Sequence, residues 1–164
     1  MSTVARSLGF AAVTPWLGLL LRLYLGGVFL VASLHKIAHP ATFALDVATY
    51  QFLPLAVVNL FALTVPWIEL LIGVALILGF RARAAALVCA LLMVAFMIAL
   101  GSALARGLDL SCGCFASQAT ARHDPISYRT MLRDAAWLLI ALYVAWFDVR
   151  PLGLDRWLEE RSTP

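Results

Sequence analysis

Charge is what this sequence has least of: Asp, Glu, Lys and Arg make up 13% of its 164 residues, about half the roughly 25% of an ordinary soluble domain. With 63% hydrophobic residues and a mean hydropathy of +0.94, so short a chain has too little interior to hide its apolar surface from water. Its solvent is lipid. The net charge of +3 is small and scattered over loops and termini. It forms no basic block with interleaved aromatics, so nucleic-acid binding is not expected. Cysteine is scarce too, with three in all. Zinc sites normally use four ligands, and the cysteines and histidines show no such spacing, so no metal is expected. No internal repeat is evident, and one transmembrane domain over residues 1–164 is the default.

What the sequence does have is long apolar runs. The expected fold class is all-α, a polytopic four-helix membrane bundle with spans at about residues 16–35, 55–80, 84–105 and 129–147. The first run has the length of one bilayer crossing. No small-x-small cleavage site follows it and further spans do, so it reads as a retained helix and not a signal peptide. Between spans one and two, Pro40 to Pro54 is mixed in character. Phe43, Val47, Tyr50 and Phe52 fall on one side of a helix with Asp46 and Gln51 elsewhere, the pattern of a short interfacial helix. Pro66 inside span two should bend it. The connector around Arg81 and Arg83 is short, making spans two and three an antiparallel hairpin. Residues 106–128 form the longest polar loop, and the tail beyond Phe147 reads as a short amphipathic helix through Leu152, Leu154, Trp157 and Leu158.

Orientation follows from the placement of Lys and Arg. One side collects Arg6, Arg81, Arg83, Arg150, Arg156 and Arg161; the other has Lys36, Arg106, Arg122, Arg129 and Arg133. The Arg81–Arg83 turn is densely basic, whereas Asp109 and Asp124 dilute the long loop. Both termini are therefore expected in the cytosol and the long loop outside it, in a bacterial-type cytoplasmic membrane.

Cys89 lies mid-span in apolar sequence and reads as a packing residue. Cys112 and Cys114 flank a glycine in the long loop. Glycine tolerates the backbone angles that a disulfide within one tight turn requires. So small a ring is strained, and strained disulfides are the exchangeable ones. Outside the cytosol, where disulfides persist, the pair reads as a redox dithiol. A static staple, a half-site for copper(I), and two inert thiols stay open beside that reading. His123, His35 and His39 stand at no recognisable ligand spacing.

Ionisable residues inside spans are expensive and face a partner or cavity. Arg22 in span one and Glu69 in span two would each be an unpaired charge in hydrocarbon, so an Arg22–Glu69 ion pair is the simplest reading. It either locks the bundle or, with Trp67, lines a pocket where a quinone head group docks. Arg133 and Asp134 near the start of span four are supporting candidates that anchor the loop or shuttle protons. Lys36, at the end of span one, is placed to snorkel to the interface.

In order along the chain, several pieces form a pattern: Arg22; Lys36 before Pro40-x-x-Phe43; Tyr50 before Leu53-Pro54; and Pro66-Trp67-x-Glu69 before Gly73. Arg106-Gly107, Cys112-Gly-Cys-Phe115 and Arg133-Asp134 continue it. This set resembles the DoxX-like superfamily, and within it the MauE branch, over about Arg22 to Ala145. The resemblance implies a four-helix membrane bundle similar in design to thiol oxidoreductases of the DsbB and vitamin K epoxide reductase type. It also implies an extracytoplasmic partner: a thiol protein whose disulfides are formed with its support, as for the small subunit of methylamine dehydrogenase, or a sulfurtransferase. Quinone is the implied electron acceptor. The chain departs from the pattern at Ala116, where the family has Gly, and at Asp134, where it has Asn. It also carries one dithiol pair where DsbB-like enzymes have two.

Three functions of different classes follow. The first is a membrane thiol–disulfide oxidoreductase, or redox subunit, that cycles Cys112 and Cys114 and passes electrons to quinone near Arg22, Trp67 and Glu69. The second is a soft-metal protein binding or transporting copper, with a methionine such as Met93, Met97 or Met131 as an added ligand. The third is a scaffold assembling soluble redox proteins on the bilayer. A homo-oligomer is compatible with all three.

Overall fold

The computed structural model describes residues 2–108, 127–147 and 153, with side chains from residue 16 onward. Among the described residues the regular elements are helices: α1 (Ser2–Ala38), α2 (Pro40–Thr49), α3 (Leu55–Leu78), α4 (Ala82–Ala105) and α5 (Tyr128–Phe147). Four stretches are long and apolar enough to cross a bilayer, namely Trp16–Ala38, Leu55–Leu78, Ala82–Ala105 and Tyr128–Phe147. The chain is a polytopic helical membrane protein. Its outer surface carries Leu20, Leu60, Leu71, Leu91, Leu132 and Leu139 exposed, a distribution that only hydrocarbon makes favourable.

The helix ends follow local chemistry. Pro40 opens α2 in the first turn, where its missing N–H and fixed φ do no harm. At the end of α3, Gly79 takes a left-handed φ of +67°. Its N–H bonds the Leu76 carbonyl at 3.3 Å and the Phe80 N–H reaches the Ala75 carbonyl at 3.0 Å, a Schellman termination. Helix α3 therefore stops short of Phe80, and it runs unbroken through the buried Pro66. Helix α1 extends back to Ser2, well ahead of the expected span.

Packing is uneven. Helix α1 lies most extensively along α3, and α4 along α5, whereas α3 and α4, neighbours in sequence, touch far less. The α1–α3 contact is close because glycines meet. A Cβ on Gly73 would stand 3.0 Å from the Gly26 carbonyl oxygen, and one on Gly26 would stand 2.8 Å from Ile77 Cγ1. Small residues let membrane helices approach in this way. They also set the register: in this antiparallel pair Gly26 is level with Gly73. Leu25, Leu76, Cys89, Ala141 and Val144 form the fully buried centre around that contact. Cys89 is a packing residue there.

A candidate site at the polar end of the bundle

Where α3 and α4 diverge, a cavity of about 200 Å³ opens in the half of the bundle holding the end of α1, the start of α3, the end of α4 and the start of α5. Its walls are overwhelmingly apolar, with Phe29, Phe61, Leu92 and Phe96 among them, and α2 closes one side. Four acidic or basic side chains face it: Lys36, Asp46, Glu69 and Asp134. All four are buried.

The centre of this group is an ion pair. Lys36 Nζ donates to both carboxylate oxygens of Glu69 at 2.8 Å and lies 5.0 Å from the Phe43 ring centroid, an added cation–π attraction. Glu69 thus pairs with Lys36 and not, as expected from sequence, with Arg22. The α1–α3 register explains the outcome. With Gly26 level with Gly73, Lys36 is level with residue 63, about 9 Å along the axis from Glu69. Side chains lean toward the N-terminus of their own helix. In an antiparallel pair Lys36 and Glu69 therefore lean toward one another and close the gap. Arg22 is level with residue 77 and leans away from Glu69. It sits at the opposite end of α3, its guanidinium nitrogens 3.0 Å from where a Cβ on Gly79 would stand, with Gly153 beside them. A cation there complements the negative end of the α3 dipole.

Asp46 was missed by the sequence reading, which set it off the apolar face of α2. It is 3% exposed and shares the cavity face with Phe43, Val47 and Tyr50. The spacing 43, 46, 47, 50 is one helical stripe, which the apolar residues alone do not reveal. Tyr50 ends α2, and its carbonyl accepts from the Arg106 guanidinium at the end of α4, which pins α2 across the cavity. On α5, Arg133 Nε bonds Asp134 Oδ1 at 3.1 Å and its guanidinium lies 4.9 Å from the Trp137 ring centroid. Trp137 lines the cavity and donates from Nε1 to the Tyr24 hydroxyl at 3.2 Å. Its role too was missed, although it falls one helical turn from Arg133 and Asp134.

Of the expected site residues, Glu69, Lys36 and Asp134 meet at the cavity, and Arg133 stands beside it. Trp67 is 55% exposed on the outer face of α3, and Arg22 is at the other end, so neither joins them. The rings of His35 and His39 lie 5.4 Å apart, outside the cavity lining. Cys112, Cys114 and His123, like the expected tail helix, lie outside the described residues.

These residues sit within a known sequence family. The family described as "Methylamine utilisation protein MauE" matches residues 14–147. The chain belongs to the MauE family. The chain is 31% identical over 126 residues to the methylamine utilization protein MauE of Paracoccus denitrificans, covering 76% of this chain and 66% of that one. It is 33% identical over 116 residues to MauE of Methylorubrum extorquens, covering 70% and 61%. The chain thus spans about two thirds of the length of these relatives. No solved structure matches it. The family match takes in all four spans, the cavity residues and the Cys112–Cys114 loop.

Proposed function

We propose that this MauE-family chain is a thiol–disulfide oxidoreductase of the membrane, or the redox subunit of one, supporting disulfide formation or sulfur oxidation outside the cytosol. Cys112 and Cys114 are its working sulfurs. A partner thiolate attacks their disulfide, one sulfur leaves as thiolate, and a second partner thiol resolves the mixed disulfide. The partner leaves oxidised and the pair is left as a dithiol. Re-forming the Cys112–Cys114 bond releases two electrons and two protons, which reduce one quinone to hydroquinone. The partner is an extracytoplasmic thiol protein. The DoxX-like and DsbB-like resemblance agrees with this division of labour, and the relatives' name associates it with methylamine utilisation.

One observation carries the reading: the cavity with its buried charges lies at the end of the bundle from which the cysteine loop is strung. Leu108, at the loop's start, packs with Tyr50, Leu100 and Ala103. Ser127, at its end, contacts Thr130 at 3.2 Å in the first turn of α5, and Asp134 follows two turns on. Three residues lie between Leu108 and Cys112, and the four steps of chain span about 14 Å at most. The described ends of the loop that carries Cys112 and Cys114 thus stand at the end of the bundle that holds a pocket with buried charges.

Thiol trapping in intact membranes tests it. The pair is expected to be trapped as a disulfide when quinone is present and as a dithiol when quinone is removed and partner thiol supplied. Cys112→Ser or Cys114→Ser should abolish turnover, one of them leaving a mixed disulfide with the partner. Full activity in either variant would end the proposal.

A further inference from the structure

We infer that the cavity is a head-group site for a membrane-dissolved, isoprenoid-tailed quinone that enters sideways from the bilayer through the slot between α3 and α4. This rests on the oxidoreductase reading for the identity of the carrier, but on separate observations for the site and its doorway. The sequence expectation is a quinone near Arg22, Trp67 and Glu69; of these three, Glu69 lines the cavity, on the side of α3 away from the exposed Trp67.

The doorway comes from exposure. Phe61 on α3 and Ala95 on α4 both line the cavity and both are exposed on the hydrocarbon-facing surface, so the cavity reaches lipid between them. Of the membrane spans consecutive in the chain, the two helices that frame this opening pack least closely. A water-soluble substrate would gain nothing from such a route, whereas a carrier dissolved in the bilayer reaches it by lateral diffusion.

The occupant's chemistry follows from the walls. Aromatic rings of Phe29, Phe43, Tyr50, Phe61, Phe96 and Trp137 surround the space, and flat conjugated rings stack on such surfaces. Lys36 lines the same space, its Nζ at 2.8 Å from Glu69, the ammonium able to donate to a carbonyl oxygen. Pockets of this kind, apolar with a few convergent polar groups, fix a ligand's orientation through those groups. A planar ring with carbonyl oxygens and an apolar tail meets each demand: ring among the aromatics, oxygen at Lys36, tail out through the slot. A phospholipid does not, because a phosphate at Lys36 would share the space with the carboxyl groups of Asp46, Glu69 and Asp134, which disfavour a further anion.

Trp137 supplies the readout. Replacing Trp16, Trp67, Trp146 and Trp157 by Phe leaves it as the single tryptophan of the five. In nanodiscs free of native quinone, a short-tailed benzoquinone is expected to quench its fluorescence saturably. Ala95→Phe, which adds a ring at the doorway, should weaken apparent binding by about tenfold or more. Leu91→Phe, one turn away at a residue 68% exposed and outside the cavity lining, should leave it unchanged. Quenching that rises linearly with membrane quinone, or that is equal in the Ala95→Phe and Leu91→Phe proteins, overturns the site. Saturable quenching by phospholipid composition alone does so too. The same titration on a Cys112→Ser/Cys114→Ser protein should keep its affinity. In the Cys-intact protein, absence of thiol exchange with binding retained therefore speaks against the oxidoreductase reading only, and loss of binding speaks against the site.

Discussion

Removing one half of the Lys36–Glu69 pair is the most discriminating perturbation available. Lys36→Met keeps the length and apolar body of the side chain but deletes the ammonium. Glu69, 9% exposed, is left as a carboxylate whose two oxygens both lose their 2.8 Å donor. Breaking a buried pair at one side typically destabilises by about 3–5 kcal/mol, because the remaining charge is uncompensated. Replacing both members by apolar groups of similar size is often neutral. The double variant Lys36→Met/Glu69→Leu should accordingly recover most of the loss. Arg22→Met offers the contrast. Arg22 is level with residue 77 of α3, about 12 Å along the axis from Glu69, so its effect and that of Glu69→Gln should add to within about 0.5 kcal/mol. Reversible unfolding in a bilayer mimetic, followed by helix content, measures the wild type, these variants and the Arg22→Met/Glu69→Gln double variant. If Lys36→Met lost less than about 1 kcal/mol, or if Arg22 and Glu69 coupled while Lys36 and Glu69 did not, the α1–α3 register described above would be wrong.

Other outcomes follow from the same geometry. Gly73→Val should pry α1 from α3, lowering stability by about 1–3 kcal/mol, whereas Gly27→Ala, where an added Cβ meets nothing within 4 Å, should be tolerated in the same unfolding assay. Gly79→Ala forces a Cβ into a φ of +67° and to 2.8 Å from the Gly153 Cα. It should cost about 1–2 kcal/mol from backbone strain alone and loosen the chain after α5, read as faster proteolysis there. Trp67→Phe alone should leave quinone-dependent oxidation of the Cys112–Cys114 pair unaltered in the thiol-trapping assay, since that ring is exposed on the outer face of α3. Arg106→Gln should free the end of α2 from its carbonyl tether and raise hydrogen exchange across residues 43–50 while leaving the spans protected.

The four spans could be read directly because their cause is local. A run of about 20 apolar residues must form a helix in hydrocarbon to satisfy its own backbone, whatever its neighbours do. Helix α2 was legible for a similar reason, in the Pro40 start and the stripe through Phe43, Val47 and Tyr50. Which charges meet was not legible. Arg22, Glu69 and Asp134 announce themselves as buried by standing in apolar sequence, whereas Lys36 reads as snorkelling and Asp46 as off the apolar face. Their pairing depends on the axial offset between α1 and α3, and that offset is set by one glycine contact no sequence pattern singles out. Asp46 and Trp137 show the same limit from the other side, since an inward face is defined only once something lies opposite it.

Composition and apolar run length therefore determined, without any reference to contacts, that this chain lives in lipid as a helical bundle with one cysteine-bearing polar loop. Tertiary structure decided the rest: that Gly26 meets Gly73, that Lys36 and Glu69 lean together while Arg22 leans away, and that α3 and α4 part to leave a cavity. The physical reason is one of range. Backbone satisfaction in hydrocarbon is fixed by a residue and its neighbours within a turn, whereas the meeting of two side chains 33 positions apart is fixed by how closely whole helices can approach.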